Sequence, residues 1–320
     1  MFFSIRHQTR FKYDSAVQES IMETRMQPRS EGLQRCLSFD LLVSPKANVH
    51  QYRDYLGNTI HHFNVPGRHT QLQIVAEAKV ETGVLSTLPD RMPEESWAEL
   101  DHMIQLGDFW EFLMPSDFAR PSPLLAELAR HLDVRRRDDP LTLLIEITRG
   151  IYKHFDYVPK STKVDSPIDD ALRARRGVCQ DFTHIMTALV RHYLQVPCRY
   201  VSGYLYHGRD DHDRSSDGAT HAWVEVLLPG AGWIGLDPTN NLFAGERHIR
   251  TAVGRDYNDV PPTHGVFKGN AKSELYVSVL VQPADAPVTI EPEIVSPLEW
   301  VPAPEEIEEQ LAQQQQQQQQ

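Results

Sequence analysis

Cys179, His221 and Asp237 supply the three side-chain types of a cysteine nucleophile: a thiol, a base and a group that orients the base. Cys179 stands in RGVCQDF, directly after Gly177, where an apolar helix over CQDFTHIMTALVRHYL is predicted to begin. The unpaired N–H groups and positive dipole end of a helix N-terminus favour an anion, and so a thiolate. The same position also suits a small buried side chain, and the cysteine alone leaves both readings open. His221 opens a predicted strand, HAWVEVLL, after the polar loop HGRDDHDRSSDGAT. That places it at a strand end, where sites are commonly built. His184 and His192, further along the cysteine helix, read as packing or surface residues.

Asp237 closes the next predicted strand, GWIGLDP, and read alone is an ordinary strand-ending residue before Pro238. Its role depends on register. If the hairpin loop is Pro229, Gly230 and Ala231, Leu228 faces Gly232 and Trp223 faces Asp237. His221 and Asp237 then share a sheet face as diagonal neighbours, within reach of a carboxylate–imidazole hydrogen bond. A loop one residue shorter turns Asp237 to the opposite face.

The elements that must position these residues follow from the wider pattern. The chain has 320 residues, 40% of them hydrophobic, and a formal net charge of −12. This acidity argues against nucleic acid as a partner and offers anionic membranes no attraction. No run of 18 apolar residues predicts a membrane span, and the start, MFFSIRHQTRFKYDSAV, alternates like a strand instead of resembling a signal peptide. Cys36, Cys179 and Cys198 are too few and too far apart for a disulfide framework, which fits a reducing cytoplasm.

Residues 1–83 read as short strands with turn signals and predict a β-sandwich, with a hairpin turn at Tyr55–Thr59. Residues 84–140 read as a helical connector, in which Ser122 and Pro123 make a good helix start. Residues 141–301 form the expected core: helices through Leu194, then strands CRYVSGYLY, HAWVEVLL and GWIGLDP. The Pro-, Glu- and Gln-rich segment 302–320 is expected to be disordered. HGRDDHDRSSD lacks the glycine and closing glutamate of an EF-hand loop, and Cys179 with His221 lacks further soft ligands at zinc spacing, so no metal is expected. Cys198 reads as a core thiol; Trp223 and Trp233 read as core residues or as walls of a substrate groove.

GVCQDFTHIMTALVR, QVPCRYVSGYLY, HAWVEVLLPGAGWIGLDPTNN and GRDYNDVPP together resemble the transglutaminase-like superfamily in its bacterial two-domain form. TRFKYDSAVQESIMETRMQPR and YLGNTIHHF resemble the N-terminal β domain of that form, and the likeness extends over about residues 1–300. It implies an α+β fold with a papain-like core, the cysteine helix packed on an antiparallel sheet. It places the catalytic positions on Cys179, His221 and Asp237 and implies acyl transfer through a cysteine thioester, without a cofactor. The expected activity is cleavage of peptide or isopeptide amides, with a peptide or protein amide as substrate. The alternatives are amine transfer that cross-links glutamines, or a non-catalytic binding module. The backbone N–H of Cys179 is the expected first oxyanion donor. Tyr157, in HFDYVPK, is the candidate second donor by the same likeness, or else an aromatic that simply packs. GRDYNDVPP reads as a structural loop.

Overall fold

The computed structural model describes residues 1–83, 88–208 and 211–285, which divide into two compact units. The segment 302–320, with its expected disorder, lies outside the described residues. One unit is built around two long strands, β1 (Phe2–Thr24) and β4 (Thr59–Thr82), with β2 (Gln34–Ser44) and β3 (Val49–Arg53) beside β4. Phe3, Ile5, His7 and Thr9 are buried while the residues between them are partly exposed, the period-two signature of a strand with one covered face. β3 and β4 form the expected hairpin, with Arg53 opposite Thr59. Its turn is held by Asp54, whose Oδ1 accepts the N–H groups of Leu56 and Asn58 at 3.0 and 2.8 Å.

The other unit comprises residues 28–35 and 81–261. Its helices are α1 (Ser96–Leu106), α2 (Pro123–His131), α3 (Pro140–His154), α4 (Ile168–Ala174) and α5 (Cys179–Leu189). Two short parallel strands, β5 (Asp156–Tyr157) and β6 (Arg176–Gly177), precede α5. Ser122 caps α2 through its hydroxyl, which accepts Leu125 N–H at 3.2 Å, and Pro123 occupies the first turn. Residues 88–140 are not a separate connector: Leu100, Leu125 and Leu128 share one core with Leu144, Ile185 and Val226. Short amphipathic helices have an apolar face to bury, and here it joins the core that α3 and α5 also line.

Five antiparallel strands complete this unit in the order β10 (Leu242–Phe243), β9 (Gly232–Asp237), β8 (His221–Leu228), β7 (Cys198–Leu205), β11 (His248–Gly254). Val224, Val226 and Leu228 of β8 face the helical core, leaving His221, Trp223 and Glu225 on the opposite face. Cys198 is fully buried in that core.

β12 (Thr263–Lys268) and β13 (Ser273–Pro283) belong to the first unit and not to the core with which the sequence grouped them. β12 pairs with Glu19–Thr24 and β13 with Phe3–Tyr13, so the 23-residue β1 serves two partners along one edge. The strands thus hydrogen-bond into one connected six-stranded sheet. Met22, Phe63, Leu72 and Ile74 lie in its buried cluster. Among the described residues no helix is long and apolar enough to cross a membrane.

Candidate active site

β8 and β9 pair with Leu228 opposite Gly232 and Val224 opposite Leu236, the register of the three-residue loop. Asp237 is thereby on the face of His221, and His221 Nε2 lies 2.8 Å from Asp237 Oδ2. Both side chains are buried. Cys179, the first residue of α5 and half-buried, reaches the same imidazole by a hydrogen bond to His221. With Nε2 turned to Asp237, the other ring nitrogen is left for the thiol.

The start of α5 is held by Asp181, whose Oδ2 accepts Val178 N–H at 2.8 Å and the Thr162 hydroxyl at 2.6 Å. A carboxylate in the first turn satisfies an orphan N–H and suits the helix dipole. Gly177 is required by that approach, because a Cβ there would stand 2.8 Å from Asp181 Oδ2. Gly177 also pairs with Tyr157 across β5 and β6.

Burial alone would discharge His221, but the Asp237 carboxylate overrides it and, with hydrogen bonds to Asp237 and Cys179, holds the imidazolium up to about 10. Burial works to raise Asp237 as well; the charge of His221 and hydrogen bonds from both His221 and His248 leave it well below the usual carboxylate range. The resting site therefore holds an imidazolium facing a committed carboxylate.

Asp237 accepts more than one partner. Its Oδ1 takes the N–H groups of Thr239 and Asn240 at 2.9 and 3.2 Å. Its Oδ2 takes Asn240 Nδ2 at 2.8 Å and His248 Nε2 at 3.2 Å, besides His221. Asn240 Oδ1 accepts the N–H groups of Arg214 and Ser215 at 2.8 and 3.1 Å, which ties the polar loop after β7 to the same carboxylate. Two acids of that loop are themselves paired: Asp211 and Asp213 each lie 2.7 Å from Arg247.

The ligand atoms of His221, Asp237 and His248 lie within 4.8 Å of one another, a set that by type alone could hold a metal. The 2.8 Å between His221 and Asp237 is a hydrogen-bond length. Tetrahedral ligands bonded to zinc at 2.0–2.1 Å stand further apart, roughly 3.3 Å. In this arrangement both imidazoles share hydrogen bonds with Asp237 Oδ2.

Tyrosines surround the thiol. Tyr157 is half-buried near Cys179; burial and then the thiol's charge push its phenol up. Its hydroxyl is engaged by Ser216, donating to Oγ at 3.4 Å and accepting the N–H at 3.2 Å. Tyr257, in the segment GRDYNDVPP, packs with Tyr200 against Cys179, so that loop does border the site. His184 lies behind them as a packing residue, stacked on Phe118 and accepting Tyr257 N–H at 3.2 Å. Burial pulls it down to about 3, so it remains a neutral acceptor. His192 is exposed. Trp223 is fully buried beside His221, and Trp233 lies under the Arg199 guanidinium at 4.5 Å.

Residues 127–238 match the transglutaminase-like superfamily, and residues 3–81 match the bacterial transglutaminase-like N-terminal region. The chain belongs to the transglutaminase-like superfamily. An uncharacterized protein of Mycobacterium leprae is 33% identical to this transglutaminase-like protein over 274 residues, 85% of this chain and 95% of the relative. An uncharacterized protein of Mycobacterium tuberculosis is 31% identical over 312 residues, 88% of this chain and 92% of the relative. A crystal structure from Cytophaga hutchinsonii, described as that of a candidate cysteine protease, has a TM-score of 0.68 at 23% identity, covering 89% of this chain and 92% of its own. At that identity the likeness is one of fold.

His248, Asn240 and Tyr257 were not singled out by the sequence reading. Asn240 carried a signal, since Asp237-Pro-Thr-Asn places an amide three residues after the carboxylate. His248 carried none, being one of 15 histidines and on a strand not adjacent to β8.

Proposed function

We propose that this transglutaminase-like protein is a cysteine-dependent acyl-transfer enzyme that hydrolyses peptide or isopeptide amides through a thioester. The observation that carries the reading is a buried imidazole, 2.8 Å from Asp237 Oδ2, that meets the thiol at the start of α5. The Cys179 thiolate attacks the amide carbonyl carbon, forming the C–S bond. The oxyanion that develops is met by the backbone N–H of Cys179 and, after a rotation away from Ser216, by the Tyr157 hydroxyl. His221 passes its proton to the departing amine as the C–N bond breaks. Water then attacks the thioester, gives its proton to His221, and the acid leaves as the thiolate is restored. Asp237 stays ionised throughout and holds the ring's orientation. An amine entering in place of water would give cross-linking by the same chemistry.

The test is a peptide-amide screen run with and without a labelled amine on the wild type and on Cys179→Ala. Amide release that needs Cys179 and incorporates little amine is the expected result. Release that survives in Cys179→Ala overturns the proposal, and dominant amine incorporation replaces hydrolysis with transfer.

A further inference from the structure

Asp237 receives a second imidazole, and the acyl-transfer reading leaves it without a task. We propose that His248 is a positioning residue, a neutral N–H donor that fixes the Asp237 carboxylate for His221; the proposal rests on that reading of the site. His248 begins β11, yet it reaches Asp237 because the chain returns past β9, where Ala244 N–H donates to Gly235 O at 2.9 Å. Gly245 N–H donates to His248 Nδ1 at 3.3 Å, so that nitrogen carries no proton. The proton is on Nε2, which donates to Asp237 Oδ2 at 3.2 Å. The ring is buried and held edge-on to Trp223 with centroids 5.1 Å apart. Burial pulls its titration down and keeps it neutral beside the charged His221.

The two carboxylate oxygens are held differently. Oδ1 is fixed by backbone N–H groups of Thr239 and Asn240, which move only with the chain. Oδ2 is fixed by side chains alone: His221, Asn240 and His248. His221 must change protonation during turnover, so it cannot be the group that holds its own anchor. Asn240 and His248 are the two that stay constant. A neutral donor suits the task, since a second cation would compete with His221 for the same anion. Loss of the His248 donor leaves Asn240 as the one constant side-chain donor on Oδ2. With the carboxylate less tightly fixed, the imidazole spends less time aimed at the thiol and the leaving group. A fault in orientation during proton transfer appears in kcat, while substrate binding is untouched.

The experiment compares His248→Gln, whose amide N–H reaches where Nε2 stood, with His248→Leu, which has no donor. Both are measured for kcat and KM on a peptide amide, for Cys179 alkylation by iodoacetamide, and for the slowly exchanging imidazole N–H resonances in the NMR spectrum. His248→Leu should lower kcat and the alkylation rate on the order of tenfold, as for a lost buried donor, with KM unchanged. His248→Gln should recover most of both rates. The wild type should show two low-field imidazole protons, one missing in His248→Gln. Should His248→Leu fail to fold, His248→Asn, polar but too short to reach Oδ2, takes its place. Equal losses in the Gln and donorless variants, an effect confined to KM, or no effect overturns the proposal. Failure of the acyl-transfer reading shows separately, as activity that survives Cys179→Ala.

Discussion

Asp237 is the residue on which the charge balance of the site turns. Without its carboxylate, burial lowers His221 against only the smaller raising contribution of Cys179. Asp237→Asn should therefore move the alkaline limb of the kcat/KM profile down from about 10 toward or below the ordinary imidazole value of 6.5. The rate itself should fall by roughly 10⁴, as when an orienting carboxylate is lost from a catalytic triad. A pH–rate profile measures both, and an unmoved alkaline limb would contradict the electrostatic role given to Asp237. Cys179, His221 and Asp237 could be found in the sequence because their types form a chemical set and one hairpin loop decides their register. His248 and Tyr257 could not, because they reach the site from β11 and from the loop after it. Local pattern carries no trace of such distant approaches.

At the scale of elements, the start of α5 depends on one close approach. Gly177→Ala puts a methyl group 2.8 Å from Asp181 Oδ2, and that carboxylate must retreat from Val178 N–H. A lost N-terminal cap costs about 1 kcal/mol, and Cys179, the proposed nucleophile, sits in the turn that loosens. Gly177→Ala should lower the thermal midpoint and slow alkylation of Cys179, whereas Ala substitution of Gly245, where a Cβ would meet nothing within 4 Å, should leave packing undisturbed. Calorimetry and timed labelling on both variants test this. Helix starts at Ser122 and before Cys179 were readable from cap residues and spacing. What the helices of residues 88–140 pack against was not, since an amphipathic face says that it must be covered and not by which neighbour.

For the whole molecule, the chain ends its described course by returning to the sheet in which it began. β12 and β13 cover most of one edge of β1, and a bare edge of that length is a template for pairing with other chains. Ending the protein at Pro261 should leave the first unit prone to association, seen as light scattering and loss of a single folded species in gel filtration. A soluble, monodisperse product would contradict that role. The strands themselves were visible as alternating sequence, but membership of a sheet more than 200 residues upstream is a long-range pairing. The order of elements along the chain favoured grouping them with the adjacent core.

Intact-protein mass spectrometry during turnover of a peptide amide tests the central claim most directly. An acyl adduct that maps to Cys179, forms in the wild type and is absent from Cys179→Ala is the predicted result. Turnover with an adduct elsewhere, or undiminished turnover in Cys179→Ala, would contradict it.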